Sequence, residues 1–203
     1  MPDHYYTAQP QSEHRPATVE TEYRGCRLTF ETDSGVFSRL ELDRGTEELL
    51  NVLPPDMAGR VLDLGCGYGV IGLSIGKRWP ACEVTMTDVN ERAVGLARKN
   101  AERNGVRAEA LVSDGYAALG GRTFDAIVQN PPIRAGKAVI YQMFADGAAA
   151  LRPGGALYLV IRKQQGAPSA AAYLHTLFAR VDTLAKKGGY WMLRCEEPKE
   201  RKE

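Results

Sequence analysis

The tripeptide Asn130-Pro131-Pro132 ends the apolar run FDAIVQN with a concentration of hydrogen-bond acceptors. A proline has no backbone N–H donor and a fixed φ angle, so the carbonyl groups around it are free to accept from a ligand. The side-chain oxygen of Asn130 and the carbonyl of Pro131 could hold the two hydrogens of an aromatic exocyclic amine. The amine nitrogen would then face an electrophilic methyl group, and positioning would supply most of the catalysis. The plain alternative is a strand that ends at two prolines.

The segment DLGCGYG, residues 63–69, places three glycines between an apolar run and a segment of helical spacing. Glycine lets the backbone turn sharply and approach a ligand closely, and a helix N-terminus presents free N–H groups. The pattern indicates a nucleotide-type site, and a tight turn without a ligand is the alternative. Residues 67–72 also fit G-x-G-x-x-G with Asp88 downstream, as in dinucleotide-binding proteins. The glycines alone therefore leave a dehydrogenase and a methyltransferase open.

Three carboxylates lie at or near the ends of predicted strands. Asp63 would repel a pyrophosphate but could bind the ammonium of a methionine moiety, directly or through water, which favours a methyl donor. Asp88 could accept both ribose hydroxyls of either cofactor; it could also cap the following helix, a role that Asn90 could equally fill. Asp114, with Gly115 after it, could lie beside an adenine amine or only turn the chain.

Alternating strands and helices must position these residues. From Arg60 the apolar runs RVLDLG, EVTMTDV, VRAEALVSD, FDAIVQN and ALYLVIRK predict strands, and residues 69–79, 91–105, 137–151 and 168–180 predict helices. Pro153-Gly154-Gly155 predicts a turn after the third of these helices, and RVDTLAKKGGYWMLRCEE predicts a C-terminal antiparallel hairpin. We expect an α/β fold with a Rossmann-like, doubly wound, mostly parallel seven-stranded sheet. The carboxyl ends of its strands would share one crevice.

The N-terminal quarter predicts an appendage to this sheet. Residues 1–17 are polar and predict an irregular arm, TVETEYRGCRLTFETD predicts a small β-hairpin, and residues 43–53 predict a short helix before two prolines. The charged residues 196–203 predict a frayed tail. We expect one domain over residues 1–203, with an arm, hairpin and helix in 1–56 and the Rossmann-like core in 57–203.

Composition bounds the function classes. The chain has 203 residues, 44% hydrophobic and 25% charged, with a formal net charge of +1; this suits one soluble domain, and any nucleic-acid contact must be local. The four cysteines form no Cys-x-x-Cys pair and have no histidine cluster beside them, so neither a metal site nor a disulfide framework is expected. The polar N-terminus and the lack of a run of roughly 20 apolar residues predict a cytoplasmic protein.

The motifs VLDLGCGYG, TDVN, SDGY and QNPPIRAGK, with SGVFSRLELDRGTEELL upstream, resemble class I S-adenosylmethionine-dependent methyltransferases of the "methyltransferase small" family. That family includes ribosomal RNA guanine-amine methyltransferases, and the resemblance runs from about residue 4 to residue 195. It implies an enzyme with S-adenosylmethionine as cofactor that methylates the exocyclic amine of guanine, with ribosomal RNA or a ribosomal subunit as partner. It implies catalysis at Asn130, Pro131 and Pro132. The cofactor-binding residues expected are Asp63, Gly65, Cys66, Gly67, Gly69, Asp88, Val89, Asp114 and Gly115.

The substrate side departs from the family pattern at one position. Many amine methyltransferases place an aromatic residue after the two prolines, whereas this chain has Ile133, so a stacking contribution of roughly 1–3 kcal/mol per base would be weaker. The substrate-binding residues expected are Phe37, Arg39, Ile133, Arg134, Lys137 and Lys163. Phe37 could be a flap over the cofactor or base, or it could pack in the core. Tyr190 is expected to pack against the sheet. The basic residues of this set, together with Arg44 and Arg162, could form a rim that binds phosphate groups, or they could be ordinary solvent-exposed charges.

Three other functions stay open at the level of sequence. The amine could belong to a protein glutamine, DNA or a small molecule. The chain could also be a dinucleotide-dependent oxidoreductase, or a non-catalytic module that binds the cofactor and serves as an assembly partner.

Overall fold

The structure is a computed structural model that describes residues 12–200. Its strands are β1 (Ala17–Tyr23), β2 (Cys26–Thr32), β3 (Gly59–Leu64), β4 (Cys82–Asp88), β5 (Ala108–Val112), β6 (Phe124–Gln129), β7 (Leu151–Arg162), β8 (Phe178–Lys187) and β9 (Tyr190–Pro198). Its α-helices are α1 (Arg44–Val52), α2 (Val70–Arg78), α3 (Glu91–Asn104), α4 (Lys137–Ala150) and α5 (Ala167–Leu177).

Seven strands form one sheet in the order β5-β4-β3-β6-β7-β9-β8, and β1 and β2 form a separate two-stranded sheet. The pairs among β3 to β7 are parallel, whereas β9 pairs antiparallel with both β7 and β8. Strand order reverses direction between β3 and β6, which is the switch point where open α/β sheets bind their ligands. The predicted fold class, with its C-terminal antiparallel hairpin and N-terminal β-hairpin, is confirmed.

The core lies on both faces of the sheet because the buried strands alternate their side chains. Val61 and Val128 join one buried cluster with residues of the β1–β2 hairpin and of α1, α2 and α3. Leu62 and Ile127, their neighbours along the chain, join the other cluster with residues of α4 and α5. Successive residues of a strand point to opposite faces, so each apolar run fills both layers.

Two asparagines of α3 hold the N-terminal hairpin against that helix. The backbone N–H groups of Thr29 and Glu31 donate to the side-chain oxygens of Asn104 and Asn100, at 2.9 Å and 2.7 Å. The two side-chain amides donate back to the carbonyls of the same two hairpin residues. These bonds satisfy the free edge of β2. The loop of residues 33–43 follows β2 and lies over the carboxyl ends of the parallel strands.

The structure differs from the predicted elements at three places near the C-terminus. Pro153-Gly154-Gly155 lies within β7 as an irregularity of its pairing with β6. A Cβ at Gly155 would lie 3.0 Å from the backbone oxygens of Phe124 and Asp125, so glycine allows this close approach.

The helix predicted over 168–180 ends at Leu177, because residues from Phe178 onward pair with β9. The same pairing carries β9 to Pro198, into the predicted frayed tail. Residues 12–16 of the predicted arm have no regular structure, and residues 1–11 and 201–203 lie outside the described residues.

Candidate active site

A cleft with a volume of about 820 Å³ opens at the carboxyl ends of β3 to β7, beneath the loop of residues 33–43. It brings together residues that the sequence assigned to cofactor, catalysis and substrate. From the predicted set, the cleft is lined by Phe37, Gly65, Gly67, Asp88, Val89, Asp114, Gly115, Asn130, Pro131, Pro132, Ile133 and Arg134. Phe37 is 37% exposed at the rim, which favours a flap over a core position.

Six residues of the predicted site lie outside this lining. Asp63 is fully buried, Cys66 lines a small adjoining pocket, and Gly69 precedes α2. The remaining three are Arg39, Lys137 and Lys163.

The three cations are held in different ways. The Arg39 guanidinium donates to the backbone oxygen of Arg15 at 2.6 Å, which turns it toward the N-terminal segment. The Lys137 ammonium lies 5.0 Å from the centroid of the Tyr141 ring. Lys163 is exposed just beyond β7.

The glycine turn leaves room for a ligand. Gly65 and Gly67 have φ angles of 74° and 54°, in the left-handed region that favours glycine. A Cβ at either position would meet nothing within 4 Å, so these two glycines are not required by packing against the protein. The N–H groups of Gly65 and Cys66 donate to the carbonyl of Thr87, at 2.8 Å and 2.9 Å, which ties the turn to β4. The backbone therefore presents an open, fixed concave surface to the cleft.

Asp88 joins the glycine turn to the next helix. One carboxylate oxygen accepts from the Gly67 N–H at 2.8 Å and the other accepts from the Asn90 N–H at 2.9 Å. Burial raises the pKa of Asp88, and these backbone hydrogen bonds oppose the rise. The side chain of Asn90 caps α3 by accepting from Arg92 and Ala93, so capping of this helix does not account for Asp88. Each carboxylate oxygen of Asp88 has a further lone pair with which to bind a ligand.

Asp63 lies buried beneath the glycine turn. Its Oδ2 accepts from the Gly72 N–H at 2.8 Å, and its Oδ1 has no hydrogen-bond partner within residues 12–200. Burial raises the pKa of Asp63 to about 7, the Gly72 hydrogen bond lowers it, and the neighbouring Asp88 carboxylate raises it further. An unpaired buried carboxylate oxygen is costly, and a cation on the other side of the turn would offset that cost. Since Asp63 is not part of the cleft lining, contact through water suits this geometry better than direct contact.

The amide of Asn130 is held in a defined orientation. Its Nδ2 donates to Asp43 Oδ2 at 2.9 Å and to Thr46 Oγ1 at 3.0 Å. An ionised carboxylate only accepts, so the NH2 end faces Asp43 and the side-chain oxygen is left for the cleft. The Pro132 carbonyl accepts from Ala135 N–H at 2.8 Å, whereas no backbone N–H in the described part of the chain donates to the Pro131 carbonyl. Asn130 and Pro131 both line the cleft and supply two acceptors, the number that an amine with two hydrogens requires.

Sequence reasoning missed several residues of this cleft, among them Asp43 and Tyr190. Tyr190 does pack within the structure, since a Cβ at Gly45 would lie 2.7 Å from its ring, but it also lines the cleft. The Arg162 guanidinium lies 4.9 Å from the Tyr190 ring centroid. Because β9 runs antiparallel to β7, its first residue falls at the carboxyl edge of the sheet, a signal that the predicted hairpin already contained.

Other chemistries find little support among the described residues. No group of three or more His, Cys, Asp or Glu side chains between residues 12 and 200 is placed to hold a metal ion. The four cysteines are unpaired, and burial raises the pKa of Cys66 well above its ordinary value, which disfavours a thiolate nucleophile there. No described helix is long and apolar enough to cross a membrane.

Comparisons with known proteins bear on this site. A family model for the methyltransferase small domain matches residues 27–194. The chain is 41% identical over 200 residues to the uncharacterized protein YbxB of Bacillus subtilis, a match that covers 97% of this chain and 100% of YbxB. It is 44% identical over 140 residues to the ribosomal RNA small subunit methyltransferase C of Hahella chejuensis, covering 67% of this chain and 41% of that protein.

A solved structure is similar over nearly the whole chain. The T. thermophilus 16S rRNA methyltransferase RsmC, in complex with AdoMet and guanosine, has a TM-score of 0.79 and 32% sequence identity. The match covers 92% of this chain and 51% of that one. The chain thus spans all of YbxB but only about half or less of the ribosomal RNA methyltransferases compared here.

Proposed function

The chain belongs to the methyltransferase small domain family and is an S-adenosylmethionine-dependent methyltransferase; we propose that it methylates the exocyclic amine of a guanine in ribosomal RNA. The observation that carries this proposal is the orientation of Asn130, whose NH2 end is bound by Asp43 and Thr46. That orientation leaves the side-chain oxygen of Asn130 beside the Pro131 carbonyl as an acceptor pair for a planar amine.

The cleft residues suit S-adenosylmethionine. We assign the methionine moiety to the open turn at Gly65 and Gly67. Its ammonium group would interact through a water molecule with Asp63 Oδ1, the oxygen that has no hydrogen-bond partner among the described residues. Asp88 and Val89 would bind the ribose, and Asp114 with Gly115 would lie beside the adenine. Cys66 and Gly69 would shape the turn from outside the cleft. When bound, the cofactor supplies a methyl group on an electron-poor sulfonium.

The chain's own residues would act by positioning. Asn130 Oδ1 and the Pro131 carbonyl each accept one hydrogen of the amine, which turns the nitrogen toward the methyl group. After transfer the nitrogen carries one proton too many. Neither an amide nor a peptide carbonyl is basic enough to keep that proton, so it leaves to the water of the open cleft. Pro131 and Pro132 contribute by fixing the backbone that carries these acceptors.

Guanine is chosen over other amines because the similar proteins are named as ribosomal RNA methyltransferases and one is solved with guanosine. The residue after the two prolines is Ile133, which is half-buried. Its apolar side chain can pack on a base, although without aromatic stacking. Exposed Arg134 lies at the cleft mouth, and Arg162 is held against Tyr190. We propose that these arginines, with Lys137 and Lys163, contact RNA phosphates, and that Arg39 does not. This substrate would place the enzyme in the cytoplasm.

The test is methyl transfer from labelled S-adenosylmethionine to ribosomal subunits reconstituted from transcribed, unmodified RNA. We expect label in RNA, recovered after nuclease digestion as N2-methylguanosine, with one particle, small or large, strongly preferred. Label on adenine or on a ribosomal protein would contradict the guanine assignment and favour another amine. Cofactor binding without transfer to any of these would instead favour a non-catalytic module.

Charge reversal at the cleft mouth tests the RNA rim. We expect the Arg134→Glu/Lys137→Glu variant to bind ribosomal RNA at least tenfold more weakly, with the salt dependence of binding reduced by about one phosphate contact per residue. Cofactor affinity should stay within about twofold, because neither side chain is assigned to the cofactor. The matched control reverses Arg60 and Arg107, which lie at the opposite, amino-terminal edge of the sheet. Equal RNA affinity of the rim variant and the control would eliminate the rim.

A further inference from the structure

We infer that Asp43 is a positioning residue that keeps the amide of Asn130 in the orientation with its carbonyl toward the amine. The inference rests on the proposed function, in which Asn130 accepts a hydrogen from the substrate. Asp43 Oδ2 lies 2.9 Å from Asn130 Nδ2, and Asp43 itself lines the cleft. Asp43 is the residue before α1 and Asn130 is the residue after β6, so the two are far apart in the sequence.

Orientation matters because the two ends of an asparagine amide are nearly the same in shape and opposite in chemistry. With its oxygen toward the cleft, Asn130 accepts from the amine; flipped, it would present two N–H donors to the amine's own hydrogens. A carboxylate at position 43 cannot donate, so it selects the first orientation. Thr46 Oγ1, at 3.0 Å from Nδ2, accepts the second hydrogen of the same NH2 group.

Asp43 is itself fixed by the start of α1. The oxygen that accepts from Asn130 also accepts from the Thr46 N–H at 2.8 Å, as an N-cap. Gly45 allows this arrangement, because a Cβ there would lie 3.0 Å from Asp43 Oδ2 and 2.7 Å from the Tyr190 ring. The helix is anchored by Leu49 and Leu50, which are buried in the core. An ordinary capping aspartate would explain the bond to Thr46 but not the bond to Asn130.

Two substitutions separate capping from positioning. Serine, asparagine and aspartate are similar N-caps, so Asp43→Ser and Asp43→Asn should unfold at nearly the same temperature. The side-chain oxygen in Asp43→Asn can occupy the Oδ2 position and accept from both Thr46 and Asn130. The shorter side chain in Asp43→Ser can reach the Thr46 N–H but not Asn130. Only the serine variant should therefore release the catalytic amide.

The variant Asn130→Asp gives a pH dependence with a diagnostic sign. Its new carboxyl would face Asp43 across a hydrogen-bond distance, and like charges this close share a proton, so the pKa of the new carboxyl rises. Protonated, it can donate to Asp43 and present its carbonyl to the amine, as Asn130 does. Ionised, it is repelled. Other charged groups that line the cleft are Asp88, Asp114, Arg134 and Arg162.

The rate of Asn130→Asp should therefore fall as pH rises through the titration of this carboxyl. A general base at position 130 would give a rate that rises with pH. Adding Asp43→Asn removes the neighbouring like charge and should shift the fall to lower pH or flatten it.

The experiment is single-turnover methyl transfer to ribosomal RNA at saturating cofactor, with pH profiles, for the wild type and these variants. We expect Asp43→Ser to lose about 10- to 100-fold in rate, since a misplacement of about 1 Å costs on the order of a hundredfold. Asp43→Asn should stay within several-fold of the wild type, and cofactor affinity should be unchanged in both.

A second readout keeps this inference separate from the proposed function. In the ¹⁵N NMR spectrum the side-chain NH2 of Asn130 should be resolved and slow to exchange in the wild type and in Asp43→Asn, and averaged with water in Asp43→Ser. If the wild type transfers no methyl group to ribosomal RNA, the proposed function fails while the spectrum still decides whether Asp43 holds Asn130. A wild-type rate for Asp43→Ser, an unprotected amide in the wild type, or a rate of Asn130→Asp that rises with pH would overturn the inference.

Discussion

Replacing Asn130 by alanine is expected to slow methyl transfer by about a hundredfold or more while leaving the affinity for S-adenosylmethionine within about twofold. In the proposed mechanism the alanine removes one of the two acceptors that aim the amine nitrogen. The Pro131 carbonyl alone can hold one hydrogen, so the amine is free to rotate out of line. The measurement is rapid-quench single-turnover transfer at saturating cofactor, paired with calorimetric titration of the cofactor.

The fold should tolerate this change. Asn130 makes its side-chain bonds to Asp43 and Thr46, and Asp43 keeps its bond to the Thr46 N–H without it. A net loss of about 1 kcal/mol in the free energy of unfolding is expected for such a hydrogen bond. Asn51→Ala, at an exposed position of α1, is the matched control and should transfer at the wild-type rate. If Asn130→Ala does so too, the prolines only end the strand and the catalytic assignment is wrong.

The architecture could be predicted because its signals are local. Apolar runs stopped by glycine or proline mark the strands, and the alternation with helices then dictates a parallel sheet whose carboxyl ends share a crevice. This rule brings Gly65, Asp88 and Asn130 to one edge without knowledge of any contact between them. The boundaries of the helices and strands are harder to predict from the sequence. Phe178 lies in a segment with helical spacing, but it pairs with Pro198 and is therefore a strand residue.

The contact between Asp43 and Asn130 could not be predicted in this way. From the sequence, Asp43 is only the expected start of a short helix, and its second bond depends on how α1 docks against β7 and β9 beside the end of β6. For Arg39 the sequence instead suggests a role that the structure does not favour. Its charge suits an RNA rim, but its guanidinium donates to the Arg15 carbonyl. Side-chain partners contributed by distant segments decide these assignments, and periodicity carries no information about them.

Replacing Asp88 by alanine is expected to weaken binding of S-adenosylmethionine by about 10- to 150-fold, since a hydrogen bond to a charged group contributes roughly 1.5–3 kcal/mol. Loss of the expected ribose acceptor is one reason for weaker binding, and the structure gives a second. Asp88 also accepts from the Gly67 N–H at 2.8 Å, so the variant releases the turn that would cradle the methionine moiety. Calorimetric titration of the full chain with the cofactor measures the combined effect.

Two controls make this result specific. Glu83→Ala removes an exposed carboxylate at the other end of the same strand, β4, and should bind the cofactor as the wild type does. Asp88→Asn keeps one side-chain oxygen, which can accept from only one of the Gly67 and Asn90 N–H groups in its original place, so its affinity should fall between those of wild type and Asp88→Ala. NAD should bind to none of these three variants, because the buried carboxylate of Asp63 beneath the turn would repel a pyrophosphate. Tight binding of NAD with no binding of S-adenosylmethionine would overturn the cofactor assignment, and an unchanged affinity in Asp88→Ala would remove Asp88 from the site.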